Sequence, residues 1–413
     1  MSDTKSLLSR ITAFRERLER TPSLVLDSDT ADPALVVQNA ARRALTPGWV
    51  SGALRQIAGG TTSPVAAVAP SQLVGRARRL FETARELVTE QRAITDDVFF
   101  VRLSNAAGAE PDPLVVYHRQ TVAATESTLR LAQSMPESAE RQLRVCDGLE
   151  TMLTAIGDRL AITARSLDTR RKEWGRVERI ARLLCDVQAR RLVSVASFTD
   201  LAEELLDEAR RGVPLRFVVA DAEPVARFVA AHALTVAHVV ARVAEHDFEW
   251  AGQATTAVAA ALMMDVGMLT VPVAVVGKAG PLDAHDLGAV EAHPAAGAAV
   301  LLEVMPELGP LADAVAMHHE RLDGTGYPNA TRGDDVPSLA RLLAVCDVYA
   351  AMATDRPHRP ALDPRAALTD TLLLAEQGQL DGDLAEHLLR LSFHPVGTGV
   401  ELTDGRTAVV GST

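Results

Sequence analysis

Ionisable side chains set inside apolar helical runs constrain this chain more than any other feature. His232 lies in AAHALTVA, Asp265 in LMMDVGM, His293 in EAHPAAG and Asp347 in AVCDVYA, while His318 and His319 stand side by side in AMHHERL. Each has an ordinary reading by itself, since a single histidine on an apolar helix is usually a satisfied core residue and an aspartate before glycine is often a cap. Together they are harder to house, because a buried carboxylate or imidazole needs a partner. The fold must therefore bring them to one another. Divalent metals held by mixed nitrogen and oxygen ligands would satisfy the whole set. The adjacent histidines open the stretch Met317–Pro328, MHHERLDGTGYP, where an acid and a glycine-rich turn follow at once.

The rest of the chain reads as all-α. Its 413 residues predict two or three domains. Residues 4–20 and 33–57 read as helices, followed by the linker IAGGTTSPVAAVAP. Leu73, Ala77, Leu80, Ala84 and Leu87 then fall at alternating spacings of 4 and 3, the seam of a packed helix pair. The same spacing runs through Cys146, Leu149, Leu153, Ile156, Leu160, Thr163 and Leu167 after a break at 104–113. Residues 1–195 are thus expected to form a helical, partly coiled-coil region suited to dimerisation or to signal input from a protein partner. Residues 197–395 form a second, more apolar helical domain. Residues 396–413 are a tail in which GVELTDGRTAVV predicts a β-hairpin about Asp404–Gly405. The basic clusters at 76–79 and 170–172 lie beside Glu82, Glu86 and Glu173, and read as solvated helix faces.

Composition excludes several functions. A net charge of −12 with 4% aromatic residues does not suit a protein that tracks a nucleic-acid polymer and stacks its bases. Cys146, Cys185 and Cys346 make no CxxC pair and read as thiols of a reducing cytoplasm. The N-terminus has no apolar signal core, and the apolar run 254–277 carries Asp265 and Pro272, so it reads as core and not as a membrane span.

Four segments, in order, carry a resemblance: VGMLTVP after Asp265, KAGPLDAHDLGAVEAHPAAGAAVL (278–301), HHERLDGTGYP (318–328) and VPSLARLLAVCDVYAAMATDRPHR (336–359). Residues 230–395 resemble the HD-GYP family, a bacterial branch of the HD metal-dependent phosphohydrolases. The C-terminal segment HPVGTGVELTDGRTAVV also resembles the hairpin that ends many members. The resemblance implies a helical bundle holding two or three metals, iron or manganese, and hydrolysis of cyclic di-GMP to pGpG or on to GMP. Carried over by position, His232 and Asp347 would bind one metal, Asp265 would bridge as the catalytic carboxylate, and His293, His318 and His319 would hold the remainder. Gly326, Tyr327 and Pro328 are the loop that names the family. Arg356 and Arg359 match phosphate-contacting positions, where a guanidinium fork is apt.

The chain departs from the family pattern at four places. The His-Asp pair is here Met264-Asp265, the lysine three residues on is Met268, the glutamate that the three-metal branch carries one turn before His232 is Phe228, and the second aspartate of DVYDA is Ala350. A thioether is a poor ligand for iron or manganese. His238 is no substitute, being six residues and so about 240° round the helix from His232. Two outcomes follow: a phosphodiesterase with reduced or lost turnover, or a non-hydrolysing module that binds cyclic di-GMP or a protein.

Overall fold

The structure, a computed structural model, describes residues 70–105, 112–133, 139–247, 249–391, 399–401 and 407–409. The expected helices at 4–20 and 33–57 and the linker after them lie outside the described residues.

Two compact units divide the chain between Lys172 and Glu173. In the first, helices α1 (Pro70–Thr95), α2 (Val98–Ser104) and α3 (Pro113–Gln133) accompany the first two thirds of α4 (Ala139–Gln188). The alternating spacing on α4 is its packed face: Cys146, Leu149, Leu153, Ile156, Leu160, Thr163 and Leu167 are all buried. Asp97 caps α2 by accepting from the backbone N–H groups of Phe99 and Phe100. Arg159 lies 3.7 Å over the Tyr117 ring and donates to the Tyr117 carbonyl, closing α4 onto α3.

The second unit takes the end of α4 and adds α5 (Ala196–Arg210), α6 (Val225–His246), α7 (Ala254–Met263), α8 (Val273–Val276), α9 (Ala284–Glu291), α10 (His293–Val304), α11 (Gly309–Met317), α12 (Ser338–Met352), α13 (Pro364–Glu376) and α14 (Gly382–His387). The all-α reading holds. At its centre is α6, buried on every side from Val229 to Ala244. A helix apolar all round is a core helix, and its many alanines let α5, α7 and α12 pack against it. It is long and apolar enough to cross a bilayer, yet nearly all of it is covered by its own bundle. The run at 254–277 begins with α7, which is buried as read. Gly399–Glu401 and Thr407–Val409 pair antiparallel as β1 and β2, while the expected Asp404–Gly405 turn lies outside the described residues.

One surface expectation fails. Glu173 is 5% exposed, not solvated, because Arg176 and Arg216 meet it from α4 and from the segment after α5. Arg170 and Arg171 of the same cluster pair with Asp112 and Asp97.

Candidate metal centre

Helices from distant parts of the sequence converge on one buried point. His232 comes from the N-terminal half of α6, and Asp265 from the joint between α7 and a 3-10 turn at Val266–Thr270. His293 opens α10, His318 and His319 follow the last residue of α11, and Asp347 comes from α12. Gly267 makes the closest of these approaches possible. A Cβ there would lie 2.0 Å from the His293 carbonyl oxygen, so only glycine lets the turn seat against the start of α10. Asp265 is thereby held with Oδ1 3.1 Å from His293 Nε2 and 3.6 Å from His318 Nε2.

Helix ends decide what those imidazoles can do. The last carbonyls of a helix have no partner in the helix itself. His293 turns Nδ1 back to the Val290 carbonyl at the end of α9, and His318 does the same to Val315 at the end of α11, both at 2.6 Å. A carbonyl only accepts, so each Nδ1 carries the proton and each Nε2 is left as a lone pair. Yet the two Nε2 atoms lie 3.3 Å apart and both face the Asp265 carboxylate. Acceptors facing one another in a dry site need a cation shared among them, either a proton, which burial opposes but the Asp265 charge favours on His318, or a metal ion. One ligand atom from each of Asp265, His293, His318 and His319 falls within 4.8 Å of the others. This donor set, its ring orientations fixed by backbone carbonyls, fits a divalent metal. Burial would raise the Asp265 carboxyl, but where the shared cation is a proton on the facing imidazoles, their hydrogen bonds hold it well below the usual carboxylate range.

The opposite side is arranged differently. His232 Nε2 lies 2.8 Å from Asp347 Oδ1 and 3.6 Å from Asp265 Oδ2. Mid-helix, its Nδ1 has no free carbonyl to find. It meets Arg356, whose Nη2 lies 3.0 Å from Nδ1 and 3.3 Å from Nε2. Arg359 turns instead onto its own loop, with Nη2 donating to the Ala351 carbonyl at 2.6 Å. His358, between them, is exposed.

The loop after the histidine pair stands over the site. Tyr327 stacks on His319 with ring centroids 4.7 Å apart. A Cβ at Gly326 would come within 2.5 Å of backbone atoms of His319, Glu320 and Arg321, so no other residue fits between them. Sequence reasoning missed the residue that shapes this loop. Glu320 is 2% exposed and accepts from the backbone N–H groups of Asn329 at 2.7 Å and Thr331 at 3.0 Å. The available signal was an acid set directly before a turn rich in unpaired backbone donors. The substituted positions have settled as packing. Met264 and Ala350 are wholly buried in the apolar core, Met268 packs at its margin, and Phe228 packs on Val271, Val275 and Val276. His238, as expected, points elsewhere and meets Glu173 at 3.2 Å.

An all-helical bundle with this histidine–aspartate centre has the form of an HD domain, and residues 218–384 match that family. The domain at residues 218–384 is of the HD-GYP type within the HD superfamily. It is 36% identical over 153 residues to a cyclic di-GMP phosphodiesterase of Pseudomonas aeruginosa, covering 37% of this chain and 36% of the relative. It is 38% identical over 109 residues to a 3′3′-cGAMP-specific phosphodiesterase of Vibrio cholerae, covering 26% and 24%. A cyclic di-GMP phosphodiesterase response regulator of Xanthomonas campestris pv. campestris is 35% identical over 133 residues, covering 32% and 35%. The chain spans about a quarter to a third of the length of these curated relatives.

Proposed function

We propose that the domain around residues 218–384 is a metal-dependent phosphodiesterase for cyclic di-GMP whose turnover is reduced by the loss of the His-Asp pair. The observation that carries this reading is the set of acceptor atoms on Asp265, His293 and His318, turned toward one another with their protons committed elsewhere. Iron or manganese suits such mixed ligands. A bound divalent ion would polarise a phosphoryl oxygen and lower the barrier to its hydrolysis at neutral pH. Asp265, held ionised, orients the imidazoles and offers a proton acceptor to an attacking water. Arg356 presents a cation for a phosphodiester oxygen. Gly326 lets the loop close onto the histidine pair, and Tyr327, its hydroxyl kept protonated by burial, adds a flat surface and a donor beside them. Arg359 holds Arg356 in place through the paired backbone of the two residues.

The complete burial of Met264 among apolar side chains favours a second reading, a module that binds the nucleotide without cleaving it. Protein reconstituted anaerobically with Fe²⁺ or Mn²⁺ and assayed with cyclic di-GMP and 3′3′-cGAMP separates the two. Slow, metal-dependent release of linear dinucleotide from cyclic di-GMP supports the enzyme. Calorimetric binding without turnover supports the effector, and the absence of both for either nucleotide overturns the nucleotide reading altogether.

A further inference from the structure

We propose that the centre is built for one metal ion, held by Asp265, His293, His318 and His319, and that the Arg356 guanidinium stands in for a second cation beside His232 and Asp347. The inference rests on the functional reading above but is carried by where the Arg356 guanidinium sits against a single imidazole. An arginine side chain donates and never accepts. Arg356 Nη2 lies against the His232 ring, 3.0 Å from Nδ1, while Nε2 lies 2.8 Å from Asp347 Oδ1. An imidazole covered on its nitrogens by a guanidinium and faced at Nε2 by a carboxylate offers no open direction to a metal. The same Nη2 also lies 3.3 Å from Nε2, so the positive group already occupies the flank of the atom that would ligate. At His293 and His318 Nδ1 is taken by a backbone carbonyl and Nε2 faces Asp265, with no guanidinium beside it. The centre is thus divided into a half that lacks a cation and a half that has one.

Phe228 explains how the guanidinium is kept there. It lies one turn before His232 on α6, and its ring carries the Arg356 guanidinium 5.4 Å from the centroid. An aromatic face attracts a cation without neutralising it, so the charge stays available to the site. A carboxylate at this position would pair with Arg356 and draw it from His232. The position of the missing histidine, Met264, is filled by core packing and offers nothing to a second ion. The resulting charge balance suits a phosphodiester. Two ionised aspartates and one divalent ion cancel, and Arg356 leaves one net positive charge to meet one bridging phosphate.

The test counts metal and does not need the nucleotide. Full-length chain, stripped with chelator and titrated anaerobically with Mn²⁺, is expected to bind one ion per chain. Arg356→Ala combined with Met264→His frees His232 and restores a ligand, and is expected to bind two. Met264→His alone is expected to stay at one, because Arg356 still occupies the second place. As a milder probe, Phe228→Glu draws Arg356 away without deleting it and should raise the count in the Met264→His background. Circular dichroism on each variant confirms that the helical bundle is retained. Two ions in the unmodified chain, or a full second ion in Met264→His alone, would overturn the substitution while leaving the phosphodiesterase reading intact. A count that stays at one in both combined variants would overturn it equally. No ion in the unmodified chain overturns the metal centre and this inference with it.

Discussion

Helix α6 carries two buried clusters of titratable groups, one at His232 and one at His238, and their inventories look alike. The first gathers aspartates and histidines, and the second gathers Glu173, Glu208 and His238 close enough to hold an ion. The difference lies in the cations supplied by the chain. Around His238, Arg176 makes a two-pronged contact with Glu208 and also reaches Glu173, Arg216 pairs with Glu173, and Arg242 lies alongside, donating to backbone carbonyls. Every carboxylate there already has a guanidinium. At the Asp265 side of the first cluster the acceptors face one another instead. A high density of histidine and acid does not by itself mark a metal site; a surplus of acceptors over donors does.

That contrast can be broken from either side. The largest effect on stability should follow Arg176→Met, which leaves Glu173 and Glu208 short of a partner at a buried place. Breaking such a pair costs about 3–5 kcal/mol, read by denaturant unfolding, and the metal count should not change. A loss of metal in that variant would mean that the two clusters are one system. Asp265→Asn should do the reverse. It should cut Mn²⁺ affinity by more than about 100-fold, since even outer-sphere changes at metal sites cost 10–100-fold. Unfolding of the metal-free protein should be little affected, because a surplus acceptor has been removed. Next in size, Gly326→Ala forces a Cβ into backbone and should cost roughly 1–3 kcal/mol, seen as a lower Tm and weaker nucleotide binding.

The smallest effect is a slope with pH. Burial holds the His238 imidazole below its ordinary value, with Arg242 and Arg176 acting in the same direction against the Glu173 contact. The folded state therefore takes up its proton later than the unfolded chain as pH falls. Stability from this residue is present above the unfolded value of about 6.5 and declines below it, by at most about 1.4 kcal/mol per pH unit. Burial alone would raise Glu173, but the His238 hydrogen bond and the charges of Arg176 and Arg216 hold it at about 2. Its contribution fades only below the unfolded carboxylate value of about 4.3. Between those limits the difference between the unmodified protein and His238→Gln should report His238; parallel curves would show that the histidine is not held neutral.

Much of this was legible in the chain because helices announce themselves through spacing. The residues from Cys146 to Leu167 lie three or four apart and are buried together, and the histidines and aspartates in apolar runs do converge. What was hidden depends on partners far away in sequence. Glu173 looks solvated next to three basic residues, and only the return of Arg216 and His238 shows that it is interior. Phe228 looks like the bare loss of a glutamate until Arg356, 128 positions later in the chain, is seen against its ring. The tautomers were partly readable: His293 and His318 each follow a helix end, where carbonyls are free, whereas His232 is embedded in the middle of one.

Glu320 has a kinetic consequence. Its two oxygens occupy backbone donors of Asn329 and Thr331, so the segment over the histidine pair is held in shape by the chain itself. A ligand arriving there does not have to wait for a lid to order. Association should then be limited by diffusion, and the lifetime of the complex, not its rate of formation, should distinguish one cyclic dinucleotide from another.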